Sequence, residues 1–273
     1  MKIFITGITG FIGQSLFEFY NNSNHHIKGY LRGENLINSL NEFNPDVIIN
    51  CAGEIYNIEL MQQSNIDIVY QILNWMKINS NCKLIQLGSS AEYGPVPRAS
   101  SEIDRINPID VYQATKGAAS LLCQGYSRQF NLKVVVARIY SGFGIYERSH
   151  RLMPRLYRSF FKNESMKLFD GVHDFIYIDD FIRGVNMLIN KETPLGEIVN
   201  FGSGVQYTNL EVLEIWKKIT GITPPVEYEH RLAKAYETSI WKCDINYAKE
   251  KYGFLTEYSL EDGIKNFIKR MQQ

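Results

Sequence analysis

The sequence predicts an α/β fold: a doubly wound parallel sheet followed by a smaller, mainly helical C-terminal lobe. Three observations predict it. Short β-branched apolar runs alternate with longer segments of helical period, the first run ends in a glycine-rich turn, and the alternation loosens after about Gly144. Parallel strands covered on both faces read as unbroken apolar runs, as do Ile3 to Thr6, Ile27 to Leu31, Val47 to Asn50, Leu84 to Gly88 and Val134 to Arg138. Segments near Phe11 to Tyr20, Met61 to Asn79 and Val111 to Asn131 have the length and apolar spacing of the intervening helices. Beyond Gly144 the pattern predicts a helix from about Leu152 to Asn163, a strand at Phe175 to Ile178, a helix from Asp180, a strand at Ile198 to Phe201, and then mostly helices. Residues 1–145 and 174–202 are thereby assigned to the sheet domain and 146–173 and 203–273 to the lobe, with the chain passing between them more than once.

Composition narrows the partners. The 273 residues carry 29 Lys+Arg against 29 Asp+Glu, so no net charge draws the protein to nucleic acid or to an anionic membrane. With 45% hydrophobic residues the chain can bury a large core, which excludes disorder. Only Ile3, Phe4 and Ile5 form an apolar run at the N-terminus, too few for a secretory signal, and no stretch approaches the roughly 18 apolar residues of a membrane span. Cys51, Cys82, Cys123 and Cys243 lie far apart without a Cys-x-x-Cys pair, so reduced thiols in a cytoplasmic protein are expected and no metal site is. His25-His26 reads as an exposed loop for the same reason, since no further ligands converge on it.

The glycine turn Gly7-Ile8-Thr9-Gly10-Phe11-Ile12-Gly13 follows the first strand and opens the first helix. Gly7 allows a tight turn, Gly10 removes a side chain that would hold a pyrophosphate off the helix N-terminus, and Gly13 allows close packing, so dinucleotide binding is expected. At the end of the second strand, where an acid would accept the ribose hydroxyls of NAD, Leu31 stands instead, followed by Arg32. A guanidinium suits a 2′-phosphate, so NADP(H) is the expected cofactor and NAD the alternative; a solvated strand-end arginine is the plainer reading of Arg32.

Tyr112 and Lys116 stand four apart on a predicted helix, hence on one face. A free tyrosine has a pKa of about 10, and a nearby ammonium favours its phenolate, so the pair can exchange a proton with a carbonyl or alcohol. Ser89, 23 residues before Tyr112, follows a buried-type strand, and residues just past strand C-termini gather at the ligand crevice of such sheets.

Together Ser89, Tyr112 and Lys116 resemble the catalytic triad of the extended short-chain dehydrogenase/reductase family, whose nucleotide-binding half is a Rossmann sheet, and the glycine turn is similar to that family's Thr-Gly-x-Thr-Gly-Phe-Ile-Gly. The likeness covers nearly the whole chain. Pro45 to Gly53 is similar to the strand motif that lines the cofactor, which implies contacts from Cys51, Ala52 and Gly53, and Asn65 matches the asparagine that supports the lysine through water. Arg138 to Gly144, Asp174 to Asp180 and Gly196 to Gly204 resemble three later motifs, the last from members acting on nucleotide-activated sugars. The resemblance implies that Tyr112 moves the oxygen-bound proton, Ser89 bonds that oxygen, and Lys116 holds the nicotinamide ribose. Thr9, Phe11 and Ile12 join the glycines at the cofactor.

Departures from the family pattern prune the reactions. Dehydratases of this family follow the catalytic hydroxyl with Asp-Glu, and epimerase/reductases acting at two carbons place Cys second; here Ser90 and Ala91 occupy those positions and can supply no carboxylate chemistry. Reduction of a nucleotide-linked 4-keto-6-deoxy sugar by NADP(H) is the leading expectation, C4 epimerisation with tightly bound NAD the alternative, and a non-catalytic dinucleotide sensor the third. On the substrate side, His173 stands where the family has Arg, and Ser141 where many members have Asn. Arg231 or Lys234 could bring charge to a pyrophosphate or merely be solvated, and the arginines from Arg148 to Arg158 could line an anionic entrance or the polar side of a helix. A homodimer is expected from the resemblance.

Overall fold

Ile3 and Ile5 point to one side of the first strand and Phe4 to the other, and all three are fully buried. The computed structural model describes residues 1–232 and 240–273, with the side chains of Arg231 and Leu232 excepted. The first half runs β1 (Lys2–Thr6), α1 (Phe11–Asn21), β2 (His26–Gly29), α2 (Leu36–Phe43), β3 (Val47–Asn50), α3 (Ile58–Met61), α4 (Ile68–Met76), β4 (Lys83–Ser89), α5 (Val111–Phe130), β5 (Lys133–Ile139) and β6 (Ser141–Phe143). The second continues with α6 (Leu152–Lys162), β7 (Met166–Asp170), β8 (Val172–Tyr177), α7 (Ile178–Asn190), β9 (Glu197–Phe201), β10 (Gln206–Thr208), α8 (Asn209–Thr220), β11 (Val226–Leu232), α9 (Asn246–Tyr252) and α10 (Leu260–Met271).

Six strands form one all-parallel sheet in the order β2-β1-β3-β4-β5-β9. One face, with Ile5, Ile49, Ile85 and Val135, packs on Leu16 and Tyr20 of α1 and Phe181 and Val185 of α7. Phe4, Ile48, Leu84 and Val134 pack on the other against Leu40 of α2, Leu73 of α4 and Cys123 of α5. The strand order reverses between β1 and β3, which opens a crevice at their C-terminal ends. A buried polar ladder ties those ends together: Thr6 Oγ1 donates to Asn50 Oδ1 at 2.5 Å, and Asn50 Nδ2 to Gln86 Oε1 at 2.7 Å. The loops that leave β1, β3 and β4 therefore start from fixed points.

The second half holds more strand than its sequence suggests. The run expected at Phe175 to Ile178 begins earlier as β8 and lies off the main sheet, parallel to β6 and antiparallel to β10. β7 and β11 form a separate parallel pair. α2 was not expected; Asn35 caps it by accepting from Asn38 N at 3.0 Å, and Asn44 closes it in the left-handed region. The single helix expected over Met61 to Asn79 is wound as π-helix over Gln62–Asp67. Among the described residues no helix is long and apolar enough to cross a membrane.

Glu102 reaches over the sheet edge to accept from Asn200 N at 2.8 Å, and burial pushes its carboxyl up to about 7 from the ordinary 4.5. The native state thus holds a proton that the unfolded chain releases between pH 4.5 and 7. Stability from this group is fully present at the acid end of that window, falls as pH rises through it, and is flat above. Urea unfolding of Glu102→Gln across the window should show a shallower fall than wild type, and parallel curves would contradict the assignment.

Candidate active site

Gly7 leaves β1 at φ +66, and a Cβ there would stand 2.7 Å from the Cys51 carbonyl and Ala52 N, so the turn lies directly on the β3 loop. Gly13 is tighter still, since a Cβ would come within 2.1 Å of Gly7 O. Gly10 N closes the turn on Gly7 O at 2.9 Å, and Gly10 serves as N-cap of α1 without a side chain. No acidic residue occupies the first turn of α1, whereas Asn35, Asp110, Thr208 and Ser259 cap α2, α5, α8 and α10 through their side chains. The amides of Phe11, Ile12 and Gly13 are thus left to an anion, and a dinucleotide pyrophosphate fits this cradle. Thr9 lies exposed on the turn. Gly13→Ala forces the helix off the turn; overpacking of about 1–3 kcal/mol should weaken NAD binding about 10- to 100-fold by calorimetry, and unchanged affinity would contradict the fit.

Arg32 is exposed just beyond β2, with Nη2 donating to Ser64 Oγ at 3.0 Å. Sequence reasoning missed its neighbour Glu34, whose carboxylate folds back toward Leu31 N at 3.5 Å. An acid therefore does stand beside the strand end, two residues after the arginine. The signal was present in Arg-Gly-Glu, where Gly33 at φ +103 turns the chain back.

Ser89, Tyr112 and Lys116 meet at the C-terminal end of β4. Ser89 Oγ accepts from Ala91 N at 3.2 Å and lies within hydrogen-bonding reach of the Tyr112 phenol. Lys116 Nζ donates to Leu87 O at 2.5 Å. Burial raises the phenol above its usual pKa, with the Glu92 charge adding to the rise; the Ser89 hydroxyl and Arg151 pull it down. The expected pull of Lys116 on the phenol is not among the largest, because its ammonium is turned toward β4, and burial lowers its own pKa.

Asn65, buried in the π-helical stretch, accepts from Glu54 N at 2.7 Å and donates to Glu54 O at 3.0 Å and to Thr115 Oγ1 at 2.9 Å. It thereby ties the loop after β3 to the residue beside Lys116. Cys51 and Ala52 are half-buried and Gly53 exposed along that loop, and burial pushes the Cys51 thiol up.

Across the crevice, Ser141 Oγ and His173 Nδ1 are 3.3 Å apart. Burial drives His173 down to about 4, with Arg151 adding to the fall, so it is neutral at pH 7 and brings a hydrogen bond without charge. Positive charge reaches this side from Arg151, the N-cap of α6, which acts on both Tyr112 and His173, and Arg155 and Arg158 follow it at helical spacing. Arg155, Arg158 and Lys167 line a recess of about 370 Å³ with Phe169 and Met166. Arg158 is held by Glu164 at 2.8 Å and Arg155 by the Lys167 carbonyl at 2.6 Å. Ser90 is buried behind Ser89. Arg231 has its backbone in β11 but its side chain, like all of Lys234, lies outside the described residues. Among the described residues no group of His, Cys, Asp and Glu gathers as for a metal ion.

The chain is 31% identical over 211 residues to a UDP-glucuronate 4-epimerase of Thermodesulfobacterium geofontis, a match covering 75% of this chain and 64% of that protein. It is 26% identical over 207 residues to YtcB of Bacillus subtilis, named as an uncharacterized UDP-glucose epimerase, covering 75% and 65%. These matches span just under two thirds of either relative's length. Among solved structures, UDP-glucuronic acid 4-epimerase from Bacillus cereus, in complex with UDP-glucuronic acid and NAD, superposes with a TM-score of 0.89 at 24% identity, covering 100% of this chain and 99% of that one. The dTDP-glucose 4,6-dehydratase of Bacillus anthracis, in complex with NAD, gives 0.87 at 20%, covering 100% and 96%. At such identities the likeness is one of fold. A sequence profile matches residues 3–202, most of the length, so the chain belongs to the NAD dependent epimerase/dehydratase family.

Proposed function

We propose that the protein interconverts a hydroxyl and a carbonyl at C4 of a nucleotide-linked sugar, and that its turnover is C4 epimerisation with bound NAD. The observation that carries this reading is the meeting of the Ser89 hydroxyl and Tyr112 phenol at the end of β4, with Ser90 and Ala91 in place of the carboxylates that water elimination needs. When bound, the nicotinamide supplies the hydride acceptor and donor. Ser89 holds the C4 oxygen, Tyr112 takes its proton and returns it, and Lys116 with Asn65 fixes the ribose side of the cleft. Gly7, Thr9, Gly10, Phe11, Ile12 and Gly13 would take the pyrophosphate, while Arg32 and Glu34 flank the adenosine end. Ser90, Ser141, His173 and Arg231 are the proposed substrate residues, and the arginine face of α6 suits a nucleoside diphosphate.

Epimerisation takes precedence over the reduction expected from sequence because one relative is named a UDP-glucuronate 4-epimerase and another a UDP-glucose epimerase, and because Glu34 puts an acid beside the end of β2. Reduction of a 4-keto-6-deoxy sugar by NADPH stays as the second reading on one observation, the exposed Arg32 guanidinium. The purified protein should interconvert UDP-glucose and UDP-galactose, or the corresponding uronates, without added reductant. Oxidation of NADPH by dTDP-4-keto-6-deoxyglucose, with no interconversion of those sugars, would shift the assignment to the reductase. The expected homodimer belongs to the same proposal, supported by Tyr70 and Leu121 exposed on α4 and α5; a monomer by sedimentation at working concentration would remove it.

A further inference from the structure

Glu92 is fully buried and does not belong to the triad, yet it is bonded to both elements that carry the triad, the end of β4 and helix α5. Its Oε1 accepts from Ser89 N at 2.8 Å, and its Oε2 from Ser120 Oγ at 2.7 Å and Arg138 Nε at 2.8 Å. Gly88 is shaped to it, because a Cβ there would stand 2.8 Å from Glu92 Oε1. Ser120 lies one turn beyond Lys116, which lies one turn beyond Tyr112, so all three share the face of α5 that meets β4. Two successive turns are therefore stapled to the strand end, Lys116 to Leu87 O and Ser120 to Glu92, and the turn before them carries Tyr112.

We propose that Glu92 is the positioning residue of this centre: its buried carboxylate, anchored by Arg138 of β5, locks the Ser89 turn and the reactive face of α5 in one register. That role presupposes the hydride-transfer reading proposed above. A carboxylate suits the task because it accepts from three elements at once, from the Ser89 amide, the Ser120 hydroxyl and the guanidinium, in a space closed to bulk solvent. Its charge also reaches the reacting groups. Lys116 is faced by Glu92, Cys51 and Cys123, of which Glu92 does most to hold it as an ammonium against burial. Tyr112 is faced by Ser89, Glu92, Arg151 and Asp110, and there the Glu92 charge opposes the phenolate.

The test compares Tyr112→Phe, Glu92→Gln, Ser120→Ala and Ser120→Thr, assayed with UDP-glucose, or with dTDP-4-keto-6-deoxyglucose and NADPH if reduction is the reaction. Glu92→Gln should lose about 10²-fold in kcat with little change in KM, the scale of loss that a small misplacement at a reacting centre brings. Its alkaline kcat limb should also move to lower pH, since the charge opposing the phenolate is gone. Ser120→Ala keeps the charge; it should lose about tenfold in kcat without moving the limb, and Ser120→Thr should recover the loss by restoring the hydroxyl. If Glu92→Gln does not fold, the Ser120 pair decides. Wild-type kcat in Ser120→Ala, or an unmoved limb in a folded Glu92→Gln, with Tyr112→Phe inactive, overturns the proposal alone. Full turnover by Tyr112→Phe overturns the functional reading and this proposal with it.

Discussion

Tyr112→Phe should abolish proton transfer while leaving dinucleotide binding intact. General acid-base catalysis by a positioned side chain contributes about 10²–10⁴-fold, so kcat should fall by that order while NAD affinity, measured by fluorescence quenching, stays at the wild-type value. The phenol lies by the Ser89 turn, and no Tyr112 atom packs on Gly7, Gly10 or Gly13, so its loss leaves the glycine turn unstrained. In the oxidative direction it must be deprotonated to act, and burial holds its pKa above the usual value, so wild-type kcat for oxidation should climb into the alkaline range. In the reductive direction the protonated phenol is the competent form, so the trend reverses. A variant that keeps wild-type turnover, or a loss explained by weaker NAD binding, would contradict the role given to Tyr112.

Arg138→Met should be the most destabilising single change in the sheet domain. Arg138 and Glu92 are 2% and 0% exposed, and the guanidinium meets the carboxylate through both Nε and Nη2 at 2.8 Å while lying 4.5 Å from the Tyr93 ring centroid. Removing the cation strands a carboxylate where water cannot reach it, at a cost of about 3–5 kcal/mol. For a chain of this size that corresponds to a fall in Tm of roughly 10 °C. The pair itself contributes less than this, because burying both charges is costly. Arg138→Met combined with Glu92→Leu should therefore recover part of the lost stability while leaving activity low, since the Ser89 amide and the Ser120 hydroxyl lose their acceptor. A single variant within 1 kcal/mol of wild type by urea unfolding would show that the carboxylate finds another partner or a proton.

The parts of the site legible from sequence are those where geometry dictates residue type locally. At Gly7 and Gly13 a side chain has nowhere to go, and Tyr112 and Lys116 are set on one face by helical spacing alone. β1, β3 and β5 could be read because both faces are buried, so the strand centres, Ile3 to Ile5, Val47 to Ile49 and Val134 to Ala137, are unbroken apolar runs. What escaped depended on partners distant in sequence or on signals too short to weigh. Nothing local marks Glu92, because its partner Arg138 lies 46 residues on. The strict alternation of Val226, Glu227, Tyr228 and Glu229 was the available signal for β11, yet its partner β7 lies about 60 residues earlier, and neither strand belongs to the main sheet. The π-helical winding that carries Asn65 had no local cue, since nothing in Gln62–Asp67 departs from ordinary helical composition. Asp174, Asp180 and Asn200, prominent in the motifs that resemble the family, turn out to hold structure: Asp174 accepts from the Ser203, Gly204 and Cys243 amides, Asp180 from the Glu257 and Tyr258 amides, and Asn200 accepts from the Tyr93 phenol and donates to Ser100 O.

The central claim is that C4 exchanges a hydride with the dinucleotide while Tyr112 handles only the oxygen-bound proton. UDP-glucose carrying deuterium at C4, turned over in ordinary water and analysed by mass spectrometry, tests it most directly. The UDP-galactose formed should retain the deuterium, and turnover should be slowed by a primary isotope effect whenever the C–H step limits the rate. Product that has exchanged its C4 deuterium for solvent hydrogen would mean that the carbon loses a proton instead, and would contradict the account.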